Sequence, residues 1–288
     1  MTVYSTIPST PSEKIMQTST VSKMSVAFAL LIAPAGAFAS QPLVSDQFKM
    51  IFRVGNATVP SGYTLPTNVL DYPKHVDIGF PVVNEGGVLE FEPHWHNETD
   101  SVEYEPGEAH GSVTYTRNRP VGALWDFIGV GSGNSFFHLR SSPPDLSNQH
   151  LYLGWATEES QDQLSSFDVW NPGDARANTP GQWTRLQLNS VTGPDGSAAP
   201  GVFSMWQTND DLSLTVWMTS NDGVSAADAL FVDGAVHTHK AVGFSAAGIY
   251  ELNFQASTVL IPEPATLGAM MLGAGVLLRR VRREKSRG

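Results

Sequence analysis

The chain has 288 residues, no cysteine and a formal net charge of −11. Without cysteine there are no disulfides, thiol nucleophiles or thiolate metal sites, so the fold must rest on core burial alone. Between residues 40 and 261 there are 9 Lys/Arg and 25 Asp/Glu, about −16, which disfavours nucleic acid and anionic lipid as partners.

From Met24 the sequence runs SVAFALLIAPAGAFAS, an apolar core preceded by Lys23 and closed by Ala37-Phe38-Ala39. That small-x-small ending is read by signal peptidase. Residues 1–39 are therefore expected to be a signal peptide, with Ser40 the first mature residue and residues 40–258 a single domain.

Short apolar-alternating segments separated by Gly, Pro, Asn and Asp recur through that domain, with no long amphipathic helix. This pattern predicts an all-β fold, an antiparallel β-sandwich of jelly-roll type. Residues 47–54 form the first expected strand. In residues 75–80, Val76, Ile78 and Phe80 face a core while His75 and Asp77 share the other face, because side chains alternate along a strand. The next strand is expected to carry Leu89 and Phe91 inward and, if pairing continues past Pro93, His94 and His96 outward. Residues 98–111 read as an acidic loop, 112–116 as a strand and 117–150 as loop-rich. Strands follow at 151–155, 184–191, 202–206 and 212–218. Residues 237–244 and 249–256 read as a hairpin, in which Tyr250, Leu252, Phe254 and Ala256 alternate with Glu251, Asn253 and Gln255.

Beyond Ile261 stand Pro262-Glu263-Pro264, an uncharged apolar run from 265 to 278, and the basic residues Arg279, Arg280, Arg282, Arg283, Lys285 and Arg287. The prolines hold Glu263 extended and accessible. The apolar run spans a bilayer only marginally as a helix, and the arginines are expected to stay cytoplasmic, which puts the domain across the inner membrane. These three parts, residues 259–288, resemble the PEP-CTERM sorting signal of Gram-negative bacteria. The resemblance implies recognition by an exosortase-type membrane enzyme, transient anchoring, and delivery to the cell surface or extracellular matrix, with exopolysaccharide as a partner.

A second resemblance covers most of residues 70–258. His75-Val76-Asp77-Ile78-Gly79, Glu103-Tyr104-Glu105-Pro106, Leu153-Gly154-Trp155 with Glu158-Glu159, residues 186–196 ending in Gly193-Pro194-Asp195-Gly196, and HTHKAVGFSAAGIYELNFQA are similar to the choice-of-anchor M family, also called the actinobacterial surface-anchored protein domain. The family is β-rich and is joined to various C-terminal sorting signals. Its members carry a Trp between the last His and Phe of the closing motif, where this chain has Ala241-Val242.

Chemistry is suggested by three pairs two residues apart: His75/Asp77, His94/His96 and His237/His239. On a strand each pair shares a face, and a β-scaffold can in this way offer imidazoles to one zinc-type ion. The alternative is that these groups occupy solvent faces. Asp210, Asp211, Asp222 and Asp228 could hold calcium, but their spacing is not that of an EF-hand and turns account for them. No nucleophile elbow or zinc-protease helix is present. Trp95 and Trp170 are candidates for stacking on carbohydrate. The sequence thus points to a non-enzymatic structural or adhesive surface protein, with a metal-binding module and a carbohydrate-active enzyme as alternatives.

Overall fold

The computed structural model describes residues 40–145 and 149–261. The expected signal peptide, residues 1–39, and Pro262, Glu263, Pro264, Arg279, Arg280, Arg282 and Arg283 lie outside the described residues. The strands in chain order are β1 (Gln41–Val44), β2 (Phe48–Val54), β3 (Asn68–Leu70), β4 (His75–Gly79), β5 (Val82–Glu85), β6 (Val88–Phe91) and β7 (His94–Asn97). There follow β8 (Val102–Tyr104), β9 (Ala109–Val113), β10 (Thr116–Asn118), β11 (Ser135–Leu139), β12 (Tyr152–Ala156) and β13 (Trp183–Thr192). The last are β14 (Phe203–Thr208), β15 (Leu214–Thr219), β16 (Ala229–Asp233), β17 (His237–His239), β18 (Ala241–Phe244) and β19 (Gly248–Leu260). Three 3-10 segments, Ala123–Ile128, Glu158–Ser166 and Pro194–Gly196, complete the described secondary structure.

The fold is an all-β sandwich. One layer is a seven-stranded sheet ordered β16-β13-β19-β2-β9-β3, with β1 also on β19. Two five-stranded sheets, β17-β12-β4-β7-β8 and β10-β11-β18-β14-β15, pack against it. Phe52 of β2 shows this double contact: its ring lies 5.4 Å from Trp95 of β7 and 5.4 Å from Phe244 of β18. Trp155 meets Phe254 edge-on at 5.8 Å. Period-two alternation supplies these inward rows, namely Met50, Phe52 and Val54, Val76 and Ile78, Leu153 and Trp155, and Tyr250, Leu252, Phe254 and Ala256, all fully buried. At roughly 25 cal/mol per Å² of apolar surface, such rows supply the main favourable term in a chain without disulfides.

Most pairings are antiparallel as expected, but β4–β12, β2–β9 and β3–β9 are parallel. Four further expectations are corrected. Residues 237–256 are not a hairpin: β18 pairs with β11 and β14, and β19 with β13, β2 and β1, so the chain crosses between layers at residues 245–247. The alternation is satisfied because Phe244 and Tyr250 face each other across the core, 4.8 Å apart. The strand expected to run through Pro93 is broken there, β6 pairing with β5 in a separate ribbon and β7 with β4. Residues 98–111 contain β8 and the start of β9, and residues 117–150 contain β11. β16, which the sequence reading omitted, forms one edge of the large sheet.

His138 of β11 carries a stability consequence. It is 3% exposed, stacks on Trp206 at 5.3 Å with an 11° interplanar angle, and neither ring nitrogen has a hydrogen-bond partner. Burial, reinforced by the charges of Arg117, His150 and Arg140, pushes its pKa down to about 3. The unfolded state therefore binds a proton that the folded state refuses, and the neutral ring's contribution, complete above about pH 6.5, is lost progressively as pH falls toward 3. Replacing His138 by Phe is expected to flatten the decline in unfolding free energy between pH 7 and pH 4.5. Urea titrations of both proteins at the two pH values measure the difference, and equal slopes would refute it.

Candidate metal centre

All six residues expected to bind metal lie on the sheet β17-β12-β4-β7-β8, on the face turned away from the core. Register brings them together. His239, Gly154, Asp77, His96 and Glu103 form one row across the five strands, since each is the lateral partner of the next. His237, Ala156, Gly79 and His94 form the neighbouring row. The two glycines leave room for their neighbours. A Cβ at residue 154 would overlap Asp77 Oδ1 and stand 2.8 Å from its Cγ, and one at residue 79 would collide with the His94 ring.

The expected single site is resolved into adjoining groups. His75, His237 and His239 each bring a ligand atom within 4.8 Å of the others, and so do Asp77, Glu158 and His237. His94, His96, Glu103 and Glu159 make another such group. The sequence reading did not place Glu103, Glu158 or Glu159 with the histidines. Glu103 was hidden in an apparent loop, although a tight β7–β8 return would have set it opposite His96. Glu158 and Glu159 open the 3-10 segment after β12, whose position is fixed by Thr157 Oγ1 donating to the Gly234 carbonyl (2.9 Å) and by Val82 N donating to Ser160 Oγ (2.7 Å).

The hydrogen bonds orient the imidazoles. Nδ1 of His239 pairs with the Leu153 carbonyl (2.9 Å), Nδ1 of His94 with the Glu92 carbonyl (2.8 Å) and Nδ1 of His237 with Glu158 Oε2 (2.9 Å). A carbonyl or carboxylate can only accept, so each Nδ1 carries the proton and each neutral ring keeps its Nε2 lone pair for a ligand. This is the outer-shell arrangement typical of metal-binding histidines. Tyr152 stacks on His239 at 3.9 Å with a 9° interplanar angle and fixes that ring further. Burial lowers the pKa of His239, which favours its neutral form, against the smaller opposing effect of the Leu153 bond. The hydrogen bond that His237 donates to Glu158 raises its own pKa, with burial opposing.

Asp77 is the exceptional residue. It is 0% exposed, its Oδ1 lies 3.3 Å from His75 Nε2, and neither carboxylate oxygen accepts a hydrogen bond. A buried carboxylate without hydrogen bonds is costly, and such groups are normally paired or coordinated. The chemistry this arrangement can perform is coordination of a cation by imidazole and carboxylate.

The two tryptophans part company. Trp95 is 0% exposed and packs edge-on against Phe52, so its expected role in carbohydrate stacking is corrected. Alternation on β7 explains this, because turning His94 and His96 outward sends Trp95 into the core. Trp170 is half-buried, donates its indole N–H to the Trp183 carbonyl (3.1 Å), and lines an open cavity of about 510 Å³ with Pro42, Arg185 and Phe231. It is remote in the topology from the histidine face. Two of the acidic turn residues serve their turns: Asp211 accepts from Ser213, and Asp228 from the Thr219 and Ser225 amides.

Fold and site together define an all-β domain with a histidine- and carboxylate-lined sheet face. Comparison with protein-family models, with curated proteins and with solved structures found no match.

Without a cation, Asp77 is expected to be a net cost to the fold. In chelator at pH 7, Asp77→Ala should raise the unfolding free energy by about 1 kcal/mol or more, whereas Gly154→Ala should lower it by about 1–3 kcal/mol through overpacking. Combining the two should recover much of the loss, since the added methyl would enter the space Asp77 leaves. Denaturant melts of the four proteins would show it, and a destabilised Asp77→Ala protein would contradict the account.

Proposed function

We propose that the chain is an exported surface domain whose outer sheet face binds a divalent metal of the zinc type through His75, His237 and His239, with Asp77 and Glu158 supporting them. The observation that carries this reading is the fully buried Asp77 carboxylate, which accepts no hydrogen bond and lies beside His75 and His237. Zinc is commonly held by neutral imidazole nitrogens at about 2.0–2.1 Å. Calcium takes oxygen ligands in larger number, so a set led by three imidazoles favours a transition metal. The absence of cysteine suits an exported protein, because imidazole ligands, unlike thiols, are indifferent to an oxidising compartment.

A purely structural or adhesive role leaves the buried Asp77 carboxylate with only its 3.3 Å contact to His75. Metal binding supplies a cation beside it and is compatible with a place in the envelope or exopolysaccharide layer. The terminal segments supply the export half of the reading, in which signal peptidase removes the first segment and an exosortase-type enzyme recognises Pro262-Glu263-Pro264.

Two measurements check this. Calorimetric titration of the full chain with zinc should give saturable heat. The affinity should fall about 10–100-fold in Asp77→Ala and further in His239→Ala, and a flat trace for the wild type would end the metal reading. Fractionation of cells expressing a chain tagged within an internal loop should find it outside the cytoplasm, trimmed at both ends. A full-length cytosolic product would end the export reading.

A further inference from the structure

The remaining ligands of the histidine face stand apart from those used above. His94 and His96 come from β7, Glu103 from β8 and Glu159 from the 3-10 segment, and their ligand atoms all lie within 4.8 Å of one another. His94 is 6% exposed, its Nδ1 is committed to the Glu92 carbonyl, and its buried Nε2 has no hydrogen-bond partner. That Nε2 stands 3.8 Å from Glu159 Oε1, too far for a hydrogen bond, while His96 Nδ1 stands 3.4 Å from the same oxygen. Donor atoms on a tetrahedral zinc ion with bonds of 2.0–2.1 Å are about 3.4 Å apart. The His96–Glu159 separation matches that spacing, the His94–Glu159 separation of 3.8 Å is slightly wider, and the other pairs lie within 4.8 Å. His96 Nδ1 also lies 3.4 Å from Glu98 Oε1, so a third carboxylate stands beside the same nitrogen.

Other buried charges in the described residues have structural employment. Glu251 accepts from Lys49 Nζ and from the Tyr63 hydroxyl, both at 2.9 Å. Asp228 accepts from the Thr219 and Ser225 amides, both at 2.8 Å, and Lys240 donates to Gln207 Oε1 at 2.7 Å. His94 has no such partner for its Nε2.

We propose that His94, His96, Glu103 and Glu159 form a second divalent-metal position, so that the sheet face takes two ions whose ligand sets are joined by the Glu158-Glu159 peptide. This rests on the preceding reading only in assigning metal chemistry to the face, since it uses none of the same imidazoles. Glu158 bonds His237 of the first group and Glu159 reaches the second. Two imidazoles and two carboxylates make a somewhat harder set than three imidazoles, suited to zinc and more tolerant of manganese than the first position.

The test is the zinc content of the full chain by native mass spectrometry after loading with zinc chloride and removal of loosely held ions. Wild type is expected to retain two ions, Glu103→Gln/Glu159→Gln one, and His237→Ala/His239→Ala one. Both glutamates are exposed, so their replacement should leave the circular dichroism and melting temperature of the metal-free protein unchanged. His96→Ala, expected to retain one ion, serves as an independent check. A wild type with one ion, retained in the glutamate variant and lost in His237→Ala/His239→Ala, would overturn the second position and leave the first intact. Two ions persisting in the glutamate and His96→Ala variants would also overturn it, and a wild type with none would overturn both.

Discussion

Burial of Val76, Ile78, Trp95, Leu153 and Trp155 against the seven-stranded sheet is the interaction on which the site depends. Side chains alternate along a strand, so fixing the inner row of β4, β7 and β12 fixes the outer row as well. A slip of one residue would send His75, Asp77, His94 and His96 into the core. The apolar contacts are thus also the device that aligns the ligands of four strands. With no covalent staple in the chain, nothing else in the described residues holds that register so broadly.

The outer face is unusual because it is polar yet partly closed. Gly154 and Gly79 remove side chains beside Asp77 and His94, and the rings of His75, His237, His239 and Tyr152 crowd together above the strand backbones. An ordinary solvent-facing row would leave an aspartate hydrated. Here Asp77 is stripped of water without gaining a hydrogen bond, which is energetically sensible when a cation completes its surroundings. Local cost and proposed chemistry therefore have the same origin.

The 3-10 segment after β12 adds a connection between the two groups. Thr157 and Ser160 tie it to the strands around it, so the backbone carrying Glu158 and Glu159 is held from both sides. Successive side chains on a tight helical turn diverge, and the two carboxylates accordingly serve different histidine groups. Outer-shell carboxylates of this kind orient ligands as well as neutralise charge.

The sequence by itself determined the all-β class, the inward rows and the shared face of each histidine pair, because all three follow from period-two alternation, a local property. The terminal segments read as export and sorting patterns lie outside the described residues. Tertiary structure decided which strands are neighbours. Alternation cannot distinguish a hairpin from two strands facing each other across a core, as residues 237–256 show, and it cannot tell an exposed tryptophan from a buried one until the facing sheet is known, as Trp95 shows. Convergence of His75 and Asp77 with His237 and His239, and the recruitment of Glu103, Glu158 and Glu159, required β12 to pair with both β4 and β17, segments about 80 residues away from it on either side. Such pairing is chosen by the sum of many long-range apolar contacts, and no short stretch of sequence carries that sum.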